Sequence, residues 1–105
     1  MYEVDVETFA KAHAEGAVVV DVREPSEHAT GHLPGAKLIP GRELRRRLYE
    51  VPKGSPVYLL CATGARSLEL ISFMRAIGYD ALSVSGGVCA WNGAGRSLVR
   101  PSGGV

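Results

Sequence analysis

Cys61 lies at the carboxyl end of an apolar run and opens a short loop that leads directly into an apolar-faced helix. The backbone N–H groups of such a loop, together with the positive end of the helix dipole, stabilise a thiolate and any anion bound beside it. The alternative is an ordinary buried thiol, because free cysteine is among the most buried residue types. The loop reads Cys61-Ala62-Thr63-Gly64-Ala65-Arg66.

Three residues of this loop have testable roles. Gly64 is predicted to turn its backbone N–H inward, at a position where a Cβ would clash. Thr63 either donates its hydroxyl to the site or is a plain loop residue near a helix cap. The guanidinium of Arg66 either faces a substrate anion or points outward to a carboxylate such as Glu69, and arginine suits both roles. No histidine is close to Cys61 in sequence, so activation by backbone dipoles is favoured over a side-chain base.

The composition indicates one ordinary globular domain of 105 residues, with 46% hydrophobic and 22% charged residues. We expect a core over residues 4–95 and a loose tail over 96–105. The net charge of +1 argues against binding to nucleic acid or to an anionic membrane. Two cysteines do not make a disulfide framework, and the amino terminus lacks the pattern of a signal peptide. A cytoplasmic protein with reduced thiols is therefore predicted, with no metal and no cofactor.

Strand-like and helix-like segments alternate along the chain, which predicts an α/β domain with a mostly parallel sheet. Cys61 then falls at the carboxyl ends of the strands, where open parallel sheets bind their ligands. The helix over residues 66–77 should pack against the sheet everywhere except along a polar stripe of Glu69, Ser72 and Arg75. Strands are predicted to end at Val4 and to cover residues 17–22, 36–39, 57–60 and 81–84, and helices to cover 6–14, 26–29, 41–50, 66–77 and 89–92.

Three strings resemble the rhodanese domain family, in its order and spacing. Residues 21–28 (DVREPSEH) with residues 31–36 (GHLPGA) are similar to its amino-terminal signature. Residues 61–67 (CATGARS) resemble the active-site loop of single-domain members, and residues 86–91 (GGVCAW) resemble the carboxyl-terminal signature. Together they span nearly the whole chain.

This resemblance implies a five-stranded parallel sheet flanked by helices on both faces. It also implies a sulfurtransferase that moves a sulfur atom from a donor such as thiosulfate to a thiol or cyanide, through a persulfide on Cys61. The backbone from Ala62 to Arg66 would bind the substrate. Many single-domain members carry a basic residue after the cysteine, and Ala62 in its place weakens the expected attraction for thiosulfate. The loop also lacks the Gly-Ser-Gly-Val-Thr pattern of mercaptopyruvate-type relatives.

Two other functions remain open. One is a sulfur-carrying or sensing module that docks a partner protein and turns over small donors slowly. The other is a cysteine-dependent phosphatase or arsenate reductase, but those enzymes place five residues between the cysteine and the arginine. Only four residues separate Cys61 from Arg66, and the tighter loop suits a single sulfur better than a phosphate.

The remaining candidates have simpler structural interpretations. Asp21, Arg23 and Glu24 are expected to be structural, forming ion pairs with one another and hydrogen bonds to the nearby loop backbone. His28 and His32 have the spacing of helical zinc ligands, but glycine and proline interrupt the helix and no third ligand is evident. Cys89 could act as a resolving thiol only if it lies near Cys61, and Trp91 is expected to pack in the core or at its rim. Four arginines are either a solvated helix face or a dock for an acidic sulfur-relay protein, namely Arg42, Arg45, Arg46 and Arg47.

Overall fold

The computed structural model describes residues 2–100 and contains a five-stranded sheet in which every pairing is parallel. The strand order is β1-β5-β4-β2-β3, so the strand that precedes Cys61 is central. The predicted fold class is confirmed. The strands are β1 (Glu3–Val4), β2 (Val18–Asp21), β3 (Lys37–Leu38), β4 (Val57–Leu60) and β5 (Ala81–Val84).

In the described part of the chain, four α-helices accompany these strands, each at a predicted position. Asp5 caps the first of them, because its side chain accepts a hydrogen bond from the backbone N–H of Thr8 at 2.8 Å. The helices are α1 (Val6–Ala14), α2 (Pro25–His28), α3 (Ala65–Ala76) and α4 (Gly87–Gly93).

The sheet has a separate apolar core on each face. This agrees with the central strand β4, in which all four residues are buried. Alternate residues of β4 point to opposite faces, so Leu59 packs with Ile71 and Met74 of α3. Leu60 packs on the other face with Phe9 of α1. Cys61 belongs to the core on the α3 side, which brings its thiol against the start of that helix.

The single helix predicted over residues 41–50 is wrong. The chain forms two 3₁₀ helices there, Gly41–Glu43 and Arg45–Glu50, with a non-helical residue at Arg47. The hydroxyl of Tyr79 donates to the backbone carbonyls of Leu48 and Val51, both at 3.0 Å. These long-range hydrogen bonds hold the end of the segment in place. The prediction rested on only two apolar side chains four residues apart, Leu44 and Leu48, which is too little to specify an α-helix.

The expected burial of the helix over residues 66–77 is also wrong in part. Ser67, Ile71 and Met74 are buried, at the helical spacing of four and three residues. Leu68 and Ile77 are instead 38% and 40% exposed. A helix on one face of a sheet can bury only one side, so the apolar residues outside that side remain in solvent.

The predicted loose tail covers residues 96–105, of which residues 101–105 lie outside the described range. Its first residues contact the domain: the indole of Trp91 donates to the carbonyl of Ser97 at 3.0 Å. The backbones of His32 and Val99 form an antiparallel bridge. Across residues 2–100, no helix has both the length and the hydrophobicity required to cross a bilayer.

Candidate active site

Cys61 follows β4 directly and is 1% exposed. The backbone N–H of Gly64 donates to its Sγ atom at 3.0 Å. Gly64 can turn its N–H inward because its φ is +99°, a left-handed conformation that costs glycine little. A Cβ at this position would lie 3.1 Å from the backbone nitrogen of Gly86 and 3.2 Å from the carbonyl oxygen of Val84. The structure agrees with the prediction for Gly64.

The first turn of α4 binds the carbonyl groups of the loop. The N–H of Val88 donates to the carbonyl of Cys61 at 2.8 Å, and the N–H of Cys89 donates to that of Ala62 at 3.0 Å. A Cβ on Gly87 would overlap both carbonyl groups, so only glycine allows this approach. These two hydrogen bonds point the carbonyl groups of Cys61 and Ala62 toward α4, and the N–H of Gly64 points toward Sγ.

Several hydrogen bonds act on the pKa of the Cys61 thiol. Burial raises this pKa, because it disfavours the charged form. Burial is the largest single effect, but the hydrogen bonds from the backbone N–H and hydroxyl of Ser67, followed by those from the backbone N–H groups of Gly64 and Arg66, together outweigh it and lower the pKa. The net pKa is below the ordinary value of a cysteine, which favours the nucleophilic thiolate. Among the predicted loop residues, Gly64 and Arg66 therefore act on the sulfur.

Ser67 is the site residue that the sequence prediction missed. It lies in the first turn of α3, is fully buried, and has its Oγ 3.6 Å from the Sγ of Cys61. The sequence did contain a signal for this residue. Ser67 directly follows the loop, so it had to lie in the first turn of the helix whose N-terminus faces the thiol. The other loop residues, Ala62, Thr63 and Ala65, lie at or near the surface.

The guanidinium of Arg66 is bound to a carboxylate, but the partner is Glu27 and not Glu69. Its Nη1 and Nη2 donate to the two carboxylate oxygens of Glu27 at 2.9 and 2.8 Å. These bonds, followed by one from the backbone N–H of Glu24, lower the pKa of Glu27 to about 2. Arg66 thus links the loop to α2. The sequence did not indicate this contact, because Arg66 and Glu27 are far apart along the chain.

The buried ion pair between Asp21 and Arg23 holds α2 and the loop that follows it in place. The Nη2 of Arg23 donates to the carboxylate of Asp21 at 2.8 Å and to the carbonyl of Gly31 at 2.9 Å, and Nη1 donates to the carbonyl of Glu27 at 3.2 Å. The expectation of a structural role for Asp21 and Arg23 agrees with these contacts. Glu24 pairs with Arg42 at 3.0 Å.

The remaining sequence candidates lie elsewhere. The rings of His28 and His32 stack with their centroids 3.9 Å apart. Within the described residues, no three His, Cys, Asp or Glu side chains are grouped so as to hold a metal ion. Cys89 is exposed on α4, while Trp91 is buried. Three of the four arginines in the predicted patch are paired with glutamates, and Arg45 lies over the ring of Phe73.

A surface cleft of about 320 Å³ lies beside the loop, and Arg66 forms part of its wall. Val22, Gly41 and Leu70 also line it, together with the charged residues Glu24, Arg42 and Glu69. Chemically, the whole arrangement offers a nucleophilic sulfur with backbone donors fixed around it. It can stabilise negative charge that develops on sulfur without moving those donors.

Comparisons with known proteins agree with this geometry. The family model described as the Rhodanese-like domain matches residues 5–94. A sulfurtransferase of Allochromatium vinosum is 35% identical over 104 residues, which cover 96% of this chain and 97% of that protein. A thiosulfate sulfurtransferase, GlpE, of Pseudoalteromonas translucida is 27% identical over 84% of this chain and 85% of its own. The crystal structure of a rhodanese-related protein from Thermoplasma volcanium superposes with a TM-score of 0.89 at 26% identity, covering 96% of this chain and all of that one.

Proposed function

Because the chain belongs to the rhodanese-like domain family of sulfurtransferases, we propose that it transfers a sulfur atom through a persulfide on Cys61. The donor is a small molecule such as thiosulfate, and the acceptor is a thiol or cyanide. The observation that carries the proposal is the hydrogen bond of 3.0 Å from the Gly64 N–H to Sγ, in a loop whose carbonyls are held by α4. Both cysteines are free thiols, which supports a reducing, cytoplasmic setting.

In the first step, the Cys61 thiolate attacks the outer sulfur of thiosulfate. A sulfur–sulfur bond forms to Cys61 while the bond within thiosulfate breaks, and sulfite leaves with that electron pair. In the second step, an acceptor thiolate or cyanide attacks the terminal sulfur of the persulfide. The Cys61 thiolate then leaves with the electron pair of the bond, which regenerates the protein. The N–H donors of the loop stabilise the negative sulfur in both steps.

The electrostatics of the loop bear on the choice of donor. The guanidinium of Arg66 is bound to Glu27, and Ala62 brings no cation to the rim. Thiosulfate is a dianion, so its attraction to this loop relies mainly on backbone dipoles. A persulfide donor carries less negative charge, so its binding loses less from the lack of a cation at the loop. We therefore include persulfides in the proposed donor class. Thr63 and Ala65 are exposed, and the donor is proposed to enter on their side of the loop.

The test compares Cys61→Ser with Cys89→Ser as the matched control. Thiosulfate-to-cyanide transfer should be lost, by at least about a thousandfold, only in Cys61→Ser, because the nucleophile is gone. Mass spectrometry of the native protein treated with thiosulfate should show a gain of about 32 Da, one sulfur atom, on Cys61. Cys89 is exposed on a helix, so its substitution should leave both results unchanged.

The other functions give different results in the same experiment. A sulfur carrier takes up the extra sulfur on Cys61 but releases it to cyanide slowly. A phosphatase hydrolyses an aryl phosphate and gains no sulfur. Absence of any sulfur adduct on native protein whose Cys61 reacts with iodoacetamide would overturn the proposal.

A further inference from the structure

Two serine hydroxyls on the buried side of Cys61 are shielded from solvent. Ser67 of α3 and Ser83 of β5 are both 0% exposed, and their Oγ atoms are 2.7 Å apart. Ser67 is the closer to the reacting atom, with its Oγ 3.6 Å from Sγ and 3.1 Å from the carbonyl of Gly64. A buried hydroxyl is costly unless its hydrogen bonds are made, so each serine depends on the other.

When Cys61 is a neutral thiol, one arrangement of protons satisfies every group. The S–H donates to the Oγ of Ser67, and the Ser67 hydroxyl donates to the carbonyl of Gly64. The Ser83 hydroxyl donates to the second lone pair of the Ser67 oxygen. Ser67 then donates once and accepts twice, which is its full capacity.

When Cys61 is a thiolate, the sulfur can only accept, and rotation of one hydroxyl supplies a donor. The Ser67 hydroxyl turns from the Gly64 carbonyl to the sulfur. That carbonyl remains bonded, because the backbone N–H of Leu68 donates to it at 3.1 Å. Ser83 continues to donate to Ser67, and a hydroxyl that accepts a hydrogen bond becomes a stronger donor.

We propose that Ser83 is a positioning residue for sulfur transfer, which acts through Ser67 by holding the Ser67 hydroxyl as a donor to the sulfur anion. This inference rests on the proposed function, since it assigns a role to Ser83 in activating the same thiol. It also accounts for a polar side chain between Ala81 and Val84, both fully buried, in a strand that otherwise contributes to the core. Arg66, whose charge interacts with Cys61, and its partner Glu27 are unaltered in every variant of the test.

The experiment follows the ionisation of Cys61 in Cys89→Ser protein, so that one thiol titrates. The rate of alkylation by iodoacetamide is measured against pH for the parent, Ser67→Ala, Ser83→Ala and the double variant. Ser67→Ala should raise the pKa of Cys61 and slow alkylation at neutral pH about three- to tenfold, because the thiolate loses a donor. Ser83→Ala should shift the profile in the same direction by less, about two- to threefold.

The double variant is decisive. If Ser83 acts through Ser67, Ser83→Ala has no further effect on the profile once Ser67 is alanine. Ser72→Ala is the matched control, because Ser72 is an exposed serine of the same helix, and its profile should equal that of the parent.

An unchanged profile in Ser83→Ala, or equal and additive shifts in both backgrounds, would overturn the inference and leave Ser83 with a packing role. Circular dichroism identifies any variant that fails to fold. If Ser83→Ala fails to fold, Ser83→Thr and Ser83→Val replace it: the two new side chains have the same shape, and only valine, which lacks the hydroxyl, should shift the profile. The readout requires no sulfur transfer. A protein that forms no persulfide but shows the coupled shifts refutes the proposed function alone.

Discussion

The carboxyl ends of β2 and β4 are adjacent in the sheet, yet they stabilise charge in opposite ways. Asp21 lies beside Leu60 in register, one residue before Cys61. The carboxylate of Asp21 is 0% exposed, and the guanidinium of Arg23 binds it at 2.8 Å. Its charge is compensated inside the fold, with the remaining N–H groups of Arg23 on backbone carbonyls.

Within residues 2–100, no buried cation plays that part at Cys61, and the donors are backbone N–H groups with one serine hydroxyl. Backbone dipoles favour a thiolate without neutralising it, so the sulfur remains able to gain and lose charge. A full ion pair at this position would hold the sulfur in one state. The comparison therefore separates a structural charge from a reactive one by the kind of partner, although both are buried at the same edge.

The largest effect should come from breaking the structural pair. Arg23→Met leaves the carboxylate of Asp21 buried without its cation, and the free energy of unfolding should fall by about 3–5 kcal/mol. Chemical denaturation followed by circular dichroism measures this change. Arg42→Met is the control, because the Arg42–Glu24 pair is exposed to solvent and its loss should lower the free energy of unfolding far less. Equal losses in both variants would contradict the distinction.

Next in size is the response of the loop to a side chain at Gly64. Gly64→Ala forces a Cβ against the backbone near Gly86 and Val84, so the N–H should turn away from the sulfur. Sulfur transfer should fall on the order of 100-fold. Gly54→Ala is a close control, since Gly54 has nearly the same φ, +98°, with open space around it. It should carry only the backbone strain of about 1–2 kcal/mol and retain activity; loss of activity in both would contradict the role of the N–H.

A gain of function tests whether the loop lacks a cation. Ala62→Lys adds a positive charge at the partly exposed rim of the loop, so kcat/KM for thiosulfate should rise about three- to tenfold at low salt. The gain should shrink as salt screens the charge. Ala76→Lys, at the exposed end of α3, adds the same charge away from the site and should have no effect. A rise in both variants would mean that net charge alone is responsible.

The smallest effect concerns the pair that fastens the loop to α2. The pKa of Glu27 is about 2 in the fold, against an ordinary value of 4.5. Its stabilisation is therefore complete above about pH 4.5 and is lost as the pH falls toward 2. The melting temperature should decline more over this interval in the parent than in Glu27→Gln. Both side chains are more than a third exposed, so screening keeps the difference small. Glu7→Gln, which alters a surface pair with Arg96, should decline like the parent.

Most of the fold could be predicted from local patterns. The β-branched run over residues 17–22 and the apolar run over 57–60 indicated buried parallel strands, and both are present. The inward-turned N–H of Gly64 could be expected from the sequence, because a positive φ depends on the residue itself. Residues 41–50 were predicted wrongly because contacts with Tyr79, far away in sequence, decide their conformation. The same limit explains the wrong partner for Arg66, since Glu27 comes from a different strand–helix connection.

By itself, the sequence determined the order of the elements, the position of Cys61 at the end of a buried strand, and the glycines that let the loop turn. These follow from periodicity and from the conformational range of single residues, which are local properties. Only the tertiary structure decided which groups surround the sulfur: the Ser67–Ser83 hydroxyls, the carbonyl bonds to α4 and the hold of Glu27 on Arg66. Those contacts join segments that the chain separates, and packing of the sheet against its helices brings them within hydrogen-bonding distance.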